Sequence, residues 1–427
     1  MKFPFRLALL AALIPTASFA AVIGTNVPAT PVTAERIANA PAWKDYLDRS
    51  IRQRQADQDF FHAELKAHGL SQSTPPPFSP NPRGTPLDQS AAWYARPESQ
   101  RIADCVISYQ TPAGGWSKHT DFARHVRAPG EAFAVDNSSH ILITNDFDIP
   151  ADVNWNYIGT FDNDATFTEL HFLAKVINAD PHATNAAAWR AAFLHGLDYM
   201  FAAQFPNGGW PQVWPLQGGY HDEITFNDDA MLHVIQMMQK VAAGRDEFAF
   251  VPAEYRTRAL ASYRHGLECL LAAQTVVNGQ RTIWCQQNDA ITLQPASARN
   301  YEMPSLSSGE SGSITLFLMQ LPDPDSNVIA AVRGAVAWFK KTGIMDHAYA
   351  RTENDGRRLI AAPGNGPIWS RYYEIGTDRP IFGDRDKSIH DDVNELSRER
   401  RNGYGWYRDS GKQVIEEYSL WSKQHPE

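Results

Sequence analysis

The sequence predicts an all-α protein: a partial (α/α)3 toroid or barrel of three helical hairpins, with little β-structure and irregular, loop-rich N- and C-terminal segments. Two internal repeats lead to this prediction, one at the ends of helices and one at their starts. Helix pairs that recur along a chain stack into solenoids or closed toroids, because one pair alone cannot bury its apolar faces. We expect the loops at one end of the barrel to form a cleft.

The first repeat lies at the ends of three predicted helices. Each helix ends in a Gln, followed by a turn that contains Gly and then by a Trp. The glutamines are Gln110, Gln204 and Gln274, and the tryptophans are Trp116, Trp210 and Trp284. Gly-Gly lets the backbone approach a neighbour closely or adopt a positive φ. Because a repeated unit usually maintains architecture, we expect Trp210 to pack in the interior; stacking on a sugar is the alternative.

The second repeat lies at helix starts. The segment TFDNDA at 160–165 begins one predicted helix, TFNDDA at 225–230 begins another, and SGESGS at 308–313 is a third, eroded copy. Asn and Asp at a helix start can cap free N–H groups and lie favourably in the helix dipole. They also supply the hard oxygen ligands that Ca²⁺ prefers. Capping and metal binding therefore both remain open for these residues: Asp162, Asn163, Asp164, Asn227, Asp228 and Asp229.

The first 20 residues form a separate segment. A short basic start precedes an apolar run of about eight residues and the small-residue site Ser18-Phe-Ala20. This pattern is typical of a secretory signal peptide cleaved near Ala20, and the run is far shorter than the roughly 20 residues that span a bilayer. No later apolar run is long enough either. We therefore expect an exported protein, extracellular or periplasmic, without a membrane partner.

Residues 21–88 are expected to form an N-terminal lead-in and a Pro-rich connector. Helical spacing runs from Pro41 to His68, and Pro suits the first helical position. Residues 71–88 contain six prolines and predict an extended segment. The toroidal catalytic domain would then occupy residues 89–427. Within it, Ala91 to Ser108 is predicted to be helical, and the tail from 346 onwards to be loop-rich and polar.

The composition excludes several classes of protein. A formal net charge of −9 argues against a nucleic-acid partner, which requires a basic surface. The three cysteines, Cys105, Cys269 and Cys285, can form at most one disulfide, and their spacing fits no structural zinc site. We expect a monomer.

Basic residues in aromatic and Gly-containing loops form the other candidate group: Arg299, Arg371, Arg379, Arg385, Lys118 and His119. Arginine binds carboxylates through two parallel hydrogen bonds. Several arginines near acidic metal ligands suit a carboxylated polyanion bridged by a cation. Solvated surface arginines are the alternative, and for the run from Arg398 to Arg401 a solvated or salt-bridged face is the favoured interpretation.

Other activities remain as alternatives. An α/α-toroid glycoside hydrolase could use paired carboxylates from residues 162–164 and 227–229. Glu310, in a loop of Gly and Ser, is a weaker candidate for a glycosidase acid. A non-catalytic carbohydrate-binding module is disfavoured, because such modules are usually small β-sandwiches. The Gln and Gly-Gly-Trp turns also resemble the repeat of triterpene cyclases, which the predicted export and the arginines disfavour.

Five blocks, in order, resemble the family 10 pectate lyases. They are YQTPAGGWSKHTDF (109–122), TFDNDATFTELHFLAKV (160–176), FPNGGWPQVWPLQGGYHDEITFNDDAM (205–231), ARNYEMPSLSSGESG (298–312) and RYYEIGTDRPIFGDRD (371–386). The resemblance spans about residues 90–410. It implies a secreted enzyme with a partial α/α toroid that cleaves α-1,4-linked polygalacturonate by Ca²⁺-dependent anti-β-elimination.

The resemblance also implies roles for individual residues. Arg385 matches the arginine that takes the C5 proton. Arg299 and Arg371 match positions that hold substrate carboxylates, and Lys118 is a further substrate-binding candidate. The cluster of calcium ligands and catalytic acids would comprise Asp162, Asn163 and Asp228, with Asp222 as the alternative to Asp228.

An arginine base raises a difficulty, because arginine is protonated at ordinary pH. Desolvation and nearby cations, such as Ca²⁺, Lys387 and other arginines, would have to favour its neutral form. We therefore expect an alkaline pH optimum.

Overall fold

A computed structural model of the protein describes most of the chain. The described residues are 22–81, 84–135, 147, 151–152 and 154–426. The predicted signal peptide, residues 1–20, and its cleavage position lie outside the described residues. None of the helices in the described ranges is long and apolar enough to span a membrane.

Helices make up the body of the molecule. The described residues contain ten α-helices: α1 Pro41–Ala67, α2 Pro97–Ser108, α3 Phe167–Ala179, α4 Ala186–Ala203, α5 Ala230–Ala243, α6 Ala253–Ala272, α7 Ser308–Met319, α8 Ser326–Thr342, α9 Arg398–Gly403 and α10 Ser410–Gln424. The predicted helix from Pro41 is confirmed, with Pro at its start. The α-helix expected from Ala91 begins later, at Pro97, after a 3-10 turn.

The helices pack as hairpins in chain order. α3 contacts α4, α5 contacts α6, and α7 contacts α8. Four helices form a row in which each contacts the next: α2, α4, α6 and α8. In addition, α3 packs against α5, and α10 packs against both α7 and α8. The helices share one apolar core, in which Trp116, Trp189, Trp210 and Trp284 are among the largest fully buried side chains. The helical hairpins that the repeats predict are therefore present, and the third begins at Ser308.

One amide side chain links each hairpin to the next helix of the row. Gln110 Nε2 donates to the carbonyl of Gly114 in its own loop at 2.7 Å and to that of Ala192 in α4 at 2.9 Å. The same pair of bonds recurs in the other copies: Gln204 with Gly208 and Ser262, and Gln274 with Thr282 and Ala331. The repeated Gln therefore fixes each loop against the next hairpin.

The three repeated tryptophans are interior residues, each at most 1% exposed. Each indole N–H donates to a carbonyl of the preceding helix: Trp116 to Val106, Trp210 to Met200 and Trp284 to Leu270. A Cβ at Gly266 would lie 2.6 Å from the Trp210 ring, and one at Gly208, where φ is +95°, would lie 2.2 Å from the His265 carbonyl oxygen. The packing interpretation of Trp210 is confirmed.

Short strands lie in the loops and in the C-terminal part. The described residues contain β1 Val22–Thr25, β2 Gly159–Thr160, β3 Val213–Trp214, β4 Ile224–Thr225, β5 Val276–Val277, β6 Gln280–Arg281, β7 Gln287–Asn288, β8 Leu306–Ser307, β9 His347–Thr352, β10 Gly356–Ala361, β11 Trp369–Ser370, β12 Tyr372–Tyr373, β13 Pro380–Gly383, β14 Ser388–His390 and β15 Tyr407–Arg408. Five of them form an antiparallel sheet in the order β1-β14-β13-β12-β8, and the others pair two by two.

The prediction of an all-α toroid with little β-structure is therefore wrong as a fold class, and so is the loop-rich description of the tail. Most strands have only two to four residues, too few to show an alternation of apolar and polar residues. The longest pair, β9 and β10, contains Arg351, Arg357 and Arg358, and its turn ends at Gly356 with a φ of 71°. The sequence Asp355-Gly356 is typical of a hairpin turn. The sequence analysis did not recognise it, because the segment is rich in polar residues.

Two smaller predictions concern the N-terminal part and the cysteines. The Pro-rich connector is confirmed as non-helical over its described residues, 71–81 and 84–88. Helix α1, which precedes it, packs on the common core, and Tyr46 in α1 donates its hydroxyl proton to the carbonyl of Ala203 at 3.0 Å. All three cysteines are buried and free.

We expect Gln274→Ala to destabilise the protein. Gln274 is buried, and the substitution removes its two hydrogen bonds to backbone carbonyls. It also removes the hydrogen bond of 3.0 Å that Arg281 Nη1 donates to Gln274 Oε1. The free energy of unfolding should fall by about 2–4 kcal/mol, because buried polar groups lose their partners. Urea unfolding measures this. Gln320→Ala, at an exposed position after α7, is the control and should change it by less than about 0.5 kcal/mol. Equal effects of the two substitutions would contradict the linking role.

Candidate active site

The first acidic segment, Asp162–Asp164, forms a 3-10 turn between β2 and α3. Asn163 and Asp164 have positive φ angles of 51° and 65°, and Thr166, just before α3, has 64°. Such angles cost non-glycine residues roughly 1–3 kcal/mol each and persist only where the surroundings enforce them. Here the Oγ1 of Thr166 accepts the backbone N–H of Trp116 at 2.9 Å. The first repeat therefore anchors the acidic turn.

The second acidic segment, Asn227–Asp229, repeats this geometry between β4 and α5. Asp228 and Asp229 have φ angles of 50° and 59°. The capping alternative is not supported, because the N-cap residues of α3 and α5, Thr166 and Asp229, form no side-chain capping hydrogen bond. The side chains of the two segments instead form hydrogen bonds with each other.

The two turns bring the predicted metal ligands Asp162, Asn163 and Asp228 together. Asn163 Nδ2 donates to Asp228 Oδ2 at 3.2 Å. Asn227 Nδ2 lies 2.9 Å from the same oxygen and 3.5 Å from Asp162 Oδ1. Desolvation and the nearby Asp162 carboxylate raise the pKa of Asp228 to about 6. Two carboxylates of like charge thus lie close to one another.

Lys118, predicted to bind substrate, lies beside this cluster. Its Nζ is 2.5 Å from Asp162 Oδ2, and Asp162 is only 5% exposed. Burial alone would raise the pKa of Asp162, but Lys118, together with Arg299 and His221, holds it below its ordinary value. Asp162 is therefore ionised at neutral pH.

Asp222, the alternative to Asp228, has a different role. Its two carboxylate oxygens accept the backbone N–H groups of Gln217 and Gly218 at 2.8 and 2.7 Å. These bonds shape the loop that follows β3. The geometry therefore favours Asp228 as the partner of Asp162.

Arg371 connects the acidic turns to the basic group. This residue is 4% exposed, and its Nη2 lies 3.0 Å from Asn227 Oδ1 and 3.0 Å from Glu310 Oε1. The second oxygen of Glu310 accepts the hydroxyl of Ser307. The guanidinium carbon of Arg371 lies 4.5 Å from the centre of the Tyr404 ring. Both oxygens of Glu310 are thus engaged within the protein, which disfavours the glycosidase-acid interpretation.

Arg299 forms a two-pronged ion pair with Glu302. Its Nε and Nη2 lie 2.8 and 2.6 Å from the two carboxylate oxygens, and Tyr404 donates its hydroxyl proton to one of them at 2.5 Å. Burial raises the pKa of Glu302, but Arg299 outweighs this effect and lowers the pKa to about 2. The ionised carboxylate fixes the guanidinium, while 31% of the Arg299 side chain stays exposed.

Arg385 lies in the loop between β13 and β14. Its Nε and Nη2 are 2.9 and 3.1 Å from the carboxylate oxygens of Glu399 in α9. Arg400 binds the same carboxylate at 2.8 and 2.7 Å. These hydrogen bonds lower the pKa of Glu399 to about 2. The run from Arg398 to Arg401, interpreted as a solvated or salt-bridged face, therefore contributes a buried arginine to this group, which the sequence analysis missed.

The ring of Tyr301 is the centre of the basic group. The guanidinium carbons of Arg400, Arg299 and Arg385 lie 4.2, 5.1 and 5.4 Å from its centroid, within the range of cation–π attraction. The predicted arginines thus meet around the rings of two tyrosines, Tyr301 and Tyr404. The only sequence signal for these rings was the presence of aromatic residues near the arginines.

Two further predicted residues lie outside this group. Arg379 is paired with Glu374 and Asp391 at 3.2 and 3.1 Å and is 41% exposed. The Nδ1 of His119 lies 3.0 Å from the carbonyl oxygen of Ser79.

The acidic turns offer donors that fit a hard cation. Two carboxylates and the amide oxygen of Asn163 are the ligand types that Ca²⁺ accepts, in a flexible set of six to eight oxygens. A cation there would also relieve the repulsion between Asp162 and Asp228. Over the described residues, no group of three or more His, Cys, Asp or Glu side chains has the arrangement of a metal site. A calcium site here would therefore need amide oxygens, together with oxygens from water or substrate.

Comparisons with known proteins give three findings. The sequence model of the family described as pectic acid lyase matches residues 110–415. Two solved structures of a family 10 polysaccharide lyase from Cellvibrio cellulosa are similar to the chain, one of them an aspartate-to-alanine mutant in complex with trigalacturonic acid. Each shares 31% identity, has a TM-score of 0.64 and covers 80% of this chain, which spans 99% and 98% of theirs. No curated protein matches the chain.

Glu169, in the first turn of α3, follows the first acidic turn closely. It is 1% exposed, and its Oε2 has no hydrogen-bond partner among the described residues. Burial raises the pKa of Glu169 to about 8, although the backbone N–H groups of Thr166 and Glu169 lower it in part. The carboxyl group is therefore mostly uncharged at neutral pH.

We expect Glu169→Gln to stabilise the protein at alkaline pH. The folded-state pKa lies above the ordinary value of 4.5, so the stability of the wild type falls as the pH rises from about 4.5 to above 8. The amide cannot ionise. The free energy of unfolding of the variant should exceed that of the wild type by roughly 4–5 kcal/mol at pH 9 and by less than about 1 kcal/mol at pH 5. Urea unfolding at both pH values tests this, and a difference that is independent of pH would contradict it.

Proposed function

Because the chain belongs to the pectic acid lyase family, we propose that it cleaves α-1,4-linked polygalacturonate by calcium-dependent anti-β-elimination. By family, the protein is a polysaccharide lyase and acts as a pectate lyase.

The observation that carries the proposal is the contact between the arginine group and the acidic turns. Arg371 bonds Asn227, which in turn bonds Asp228. Fixed guanidinium groups are well suited to bind a polymer with one carboxylate on each sugar, and a cation held by carboxylates complements them. The similar lyase from Cellvibrio cellulosa has been solved in complex with trigalacturonic acid, a short segment of such a polymer.

The proposed reaction needs one base and no attacking water. The base removes the proton from C5, the electron pair of that bond forms the C4–C5 double bond, and the bond from C4 to the glycosidic oxygen breaks. We assign the base to Arg385. Arg299, Arg371 and Lys118 would hold substrate carboxylates, and fixed cations next to C5 stabilise the negative charge that develops there.

We assign calcium binding to Asp162, Asn163 and Asp228. When bound, Ca²⁺ neutralises the uronate carboxylate and makes the C5 proton more acidic. Asp162, which is also predicted to be catalytic, orients Lys118 through the ion pair at 2.5 Å.

We further propose that the enzyme acts outside the cytoplasm, extracellularly or in the periplasm. Residues 1–20 have the composition of a secretory signal peptide. The proposed substrate is a large polymer that lies outside the cell, so an enzyme that degrades it has to act there. The glycoside hydrolase alternative lacks the support of the family. A hydrolase would add water at the glycosidic bond and create no double bond, so one assay separates the two activities.

We expect polygalacturonate, incubated with the purified protein at alkaline pH, to gain the ultraviolet absorbance of a conjugated 4,5-unsaturated uronide. EGTA should abolish this gain and added Ca²⁺ should restore it, because the cation acidifies the C5 proton. New reducing ends without absorbance would contradict the lyase reaction. Turnover that EGTA leaves unchanged would contradict only the calcium requirement.

We expect Arg385→Ala to lower kcat by about 10²–10⁴-fold, the usual contribution of a general base, with a smaller effect on KM. Initial rates from the ultraviolet assay measure both constants. Arg258→Ala removes an exposed arginine that is paired with Asp198 on α4, and this control should keep the wild-type rate. If both variants lose activity equally, the assignment of the base is wrong.

A further inference from the structure

The Pro-rich connector packs along the segment that follows Lys118. The backbone N–H of Ser79 donates to the carbonyl of His119 at 2.8 Å. The backbone N–H of Asp121 donates to the carbonyl of Pro77, also at 2.8 Å. In addition, the ring Nδ1 of His119 lies 3.0 Å from the carbonyl oxygen of Ser79. The connector is therefore held against a segment that begins at a residue of the candidate site.

His119 has an unusual backbone conformation at this contact. Its φ of 63° lies in the left-handed region, which a residue with a side chain adopts only where its surroundings enforce it. The connector also approaches this segment closely, because a Cβ added at Gly84 would lie 2.3 Å from the carbonyl oxygen of Thr120. Hydrogen bonds and close packing thus fix the position of the His119 ring.

The ring of Phe78, in the connector, stacks on the ring of His119. The ring centroids are 5.6 Å apart and the ring planes differ by 16°, which is an offset stack. Phe78 is nevertheless 59% exposed. Single exposed apolar side chains are ordinary on protein surfaces, but this ring is held nearly parallel to a neighbour that is itself fixed. The pair therefore presents a flat aromatic surface of defined orientation to the solvent.

The stacked pair lies beside the candidate site. His119 directly follows Lys118, whose Nζ is 2.5 Å from Asp162 Oδ2, and consecutive Cα atoms are only about 3.8 Å apart. The aromatic surface thus begins next to the lysine to which we assign a substrate carboxylate. Phe78 precedes residue 110, where the match to the family begins. The ring is therefore a contribution of the N-terminal part of this chain to the surroundings of the site.

We propose that Phe78, supported by His119, forms a subsite for one galacturonate ring of the polymer, next to the sugar whose carboxylate Lys118 holds. The inference rests on the proposed function. One face of a pyranose ring consists of C–H groups that can pack on a flat aromatic ring, while its carboxylate and hydroxyl groups stay in water. Such a contact, remote from the bond that breaks, strengthens binding of the polymer and leaves the chemical step unchanged.

The test is the steady-state kinetics of polygalacturonate cleavage with Ca²⁺ in excess. Phe78→Ala should raise KM about 3–10-fold and leave kcat within about twofold, because the stack stabilises the bound substrate and the transition state equally. Phe78→Tyr keeps the ring and should keep the wild-type KM. Phe78→Leu keeps an apolar side chain without the flat ring, so its KM should rise as in Phe78→Ala.

The control is Leu420→Ala, which removes another exposed apolar side chain. Leu420 is 60% exposed and lies in α10, which packs against α8, at the opposite end of the helix row from α2. This variant should keep both the kcat and the KM of the wild type.

The outcomes separate this inference from the proposed function. An unchanged KM in Phe78→Ala would overturn the inference, and so would a wild-type KM in Phe78→Leu, because an apolar contact within the protein would then suffice. Electrophoresis through gels that contain polygalacturonate measures binding without turnover. If the wild type binds the polymer but does not cleave it, the proposed reaction is wrong, and the mobilities of the same variants decide on the subsite. Circular dichroism checks folding; should Phe78→Ala not fold, the comparison of Phe78→Leu with Phe78→Tyr decides.

Discussion

The hydrogen bonds of one repeated glutamine amide support everything else in the site. Each amide ties the loop after its helix to the next helix of the row, so the loop cannot move independently of the neighbouring hairpin. The Trp at the end of that loop then accepts, through its carbonyl, the N–H of the segment that leads to the next helix start. This contact occurs in all three copies: Trp116 with Thr160, Trp210 with Thr225 and Trp284 with Ser307. The glutamines thus determine where the acidic turns lie.

Within that frame, the site contains two kinds of unfavourable interaction. Four non-glycine residues of the turns have left-handed backbones, and Asp162 and Asp228 bring like charges close together. Both effects oppose folding, and the large helical core has to outweigh them. The basic side is more evenly balanced, because Arg299, Arg371 and Arg385 each contact a glutamate. The repulsion between carboxylates therefore lies at the acidic turns, the part of the site where a cation would relieve it.

The sequence predicted those features that repeat and those that depend on local spacing. The hairpins, the interior position of Trp210 and the convergence of the two acidic turns all follow from equivalent positions in similar units. Strands of two residues carry no readable period, so the fold class was predicted wrongly. Burial of Arg400 depends on its contact with Tyr301, a residue remote in sequence, and a run of four charged residues gives no sign of it. Tertiary contacts of single side chains therefore could not be predicted from the sequence.

The overall charge of −9 opposes a polyanionic substrate, but it matters less than the arrangement of a few groups. Screening limits exposed charges to a range of about 8–10 Å at ordinary salt, so distant carboxylates have little influence on the site. Near the arginines, Glu302, Glu310 and Glu399 offset most of the positive charge, and the group is not a strong attractor by itself. One positive charge remains without a carboxylate of its own, because Arg400 and Arg385 share Glu399. A polyuronide would therefore depend on this surplus charge and on a cation at the acidic turns, and its binding should weaken when either is removed.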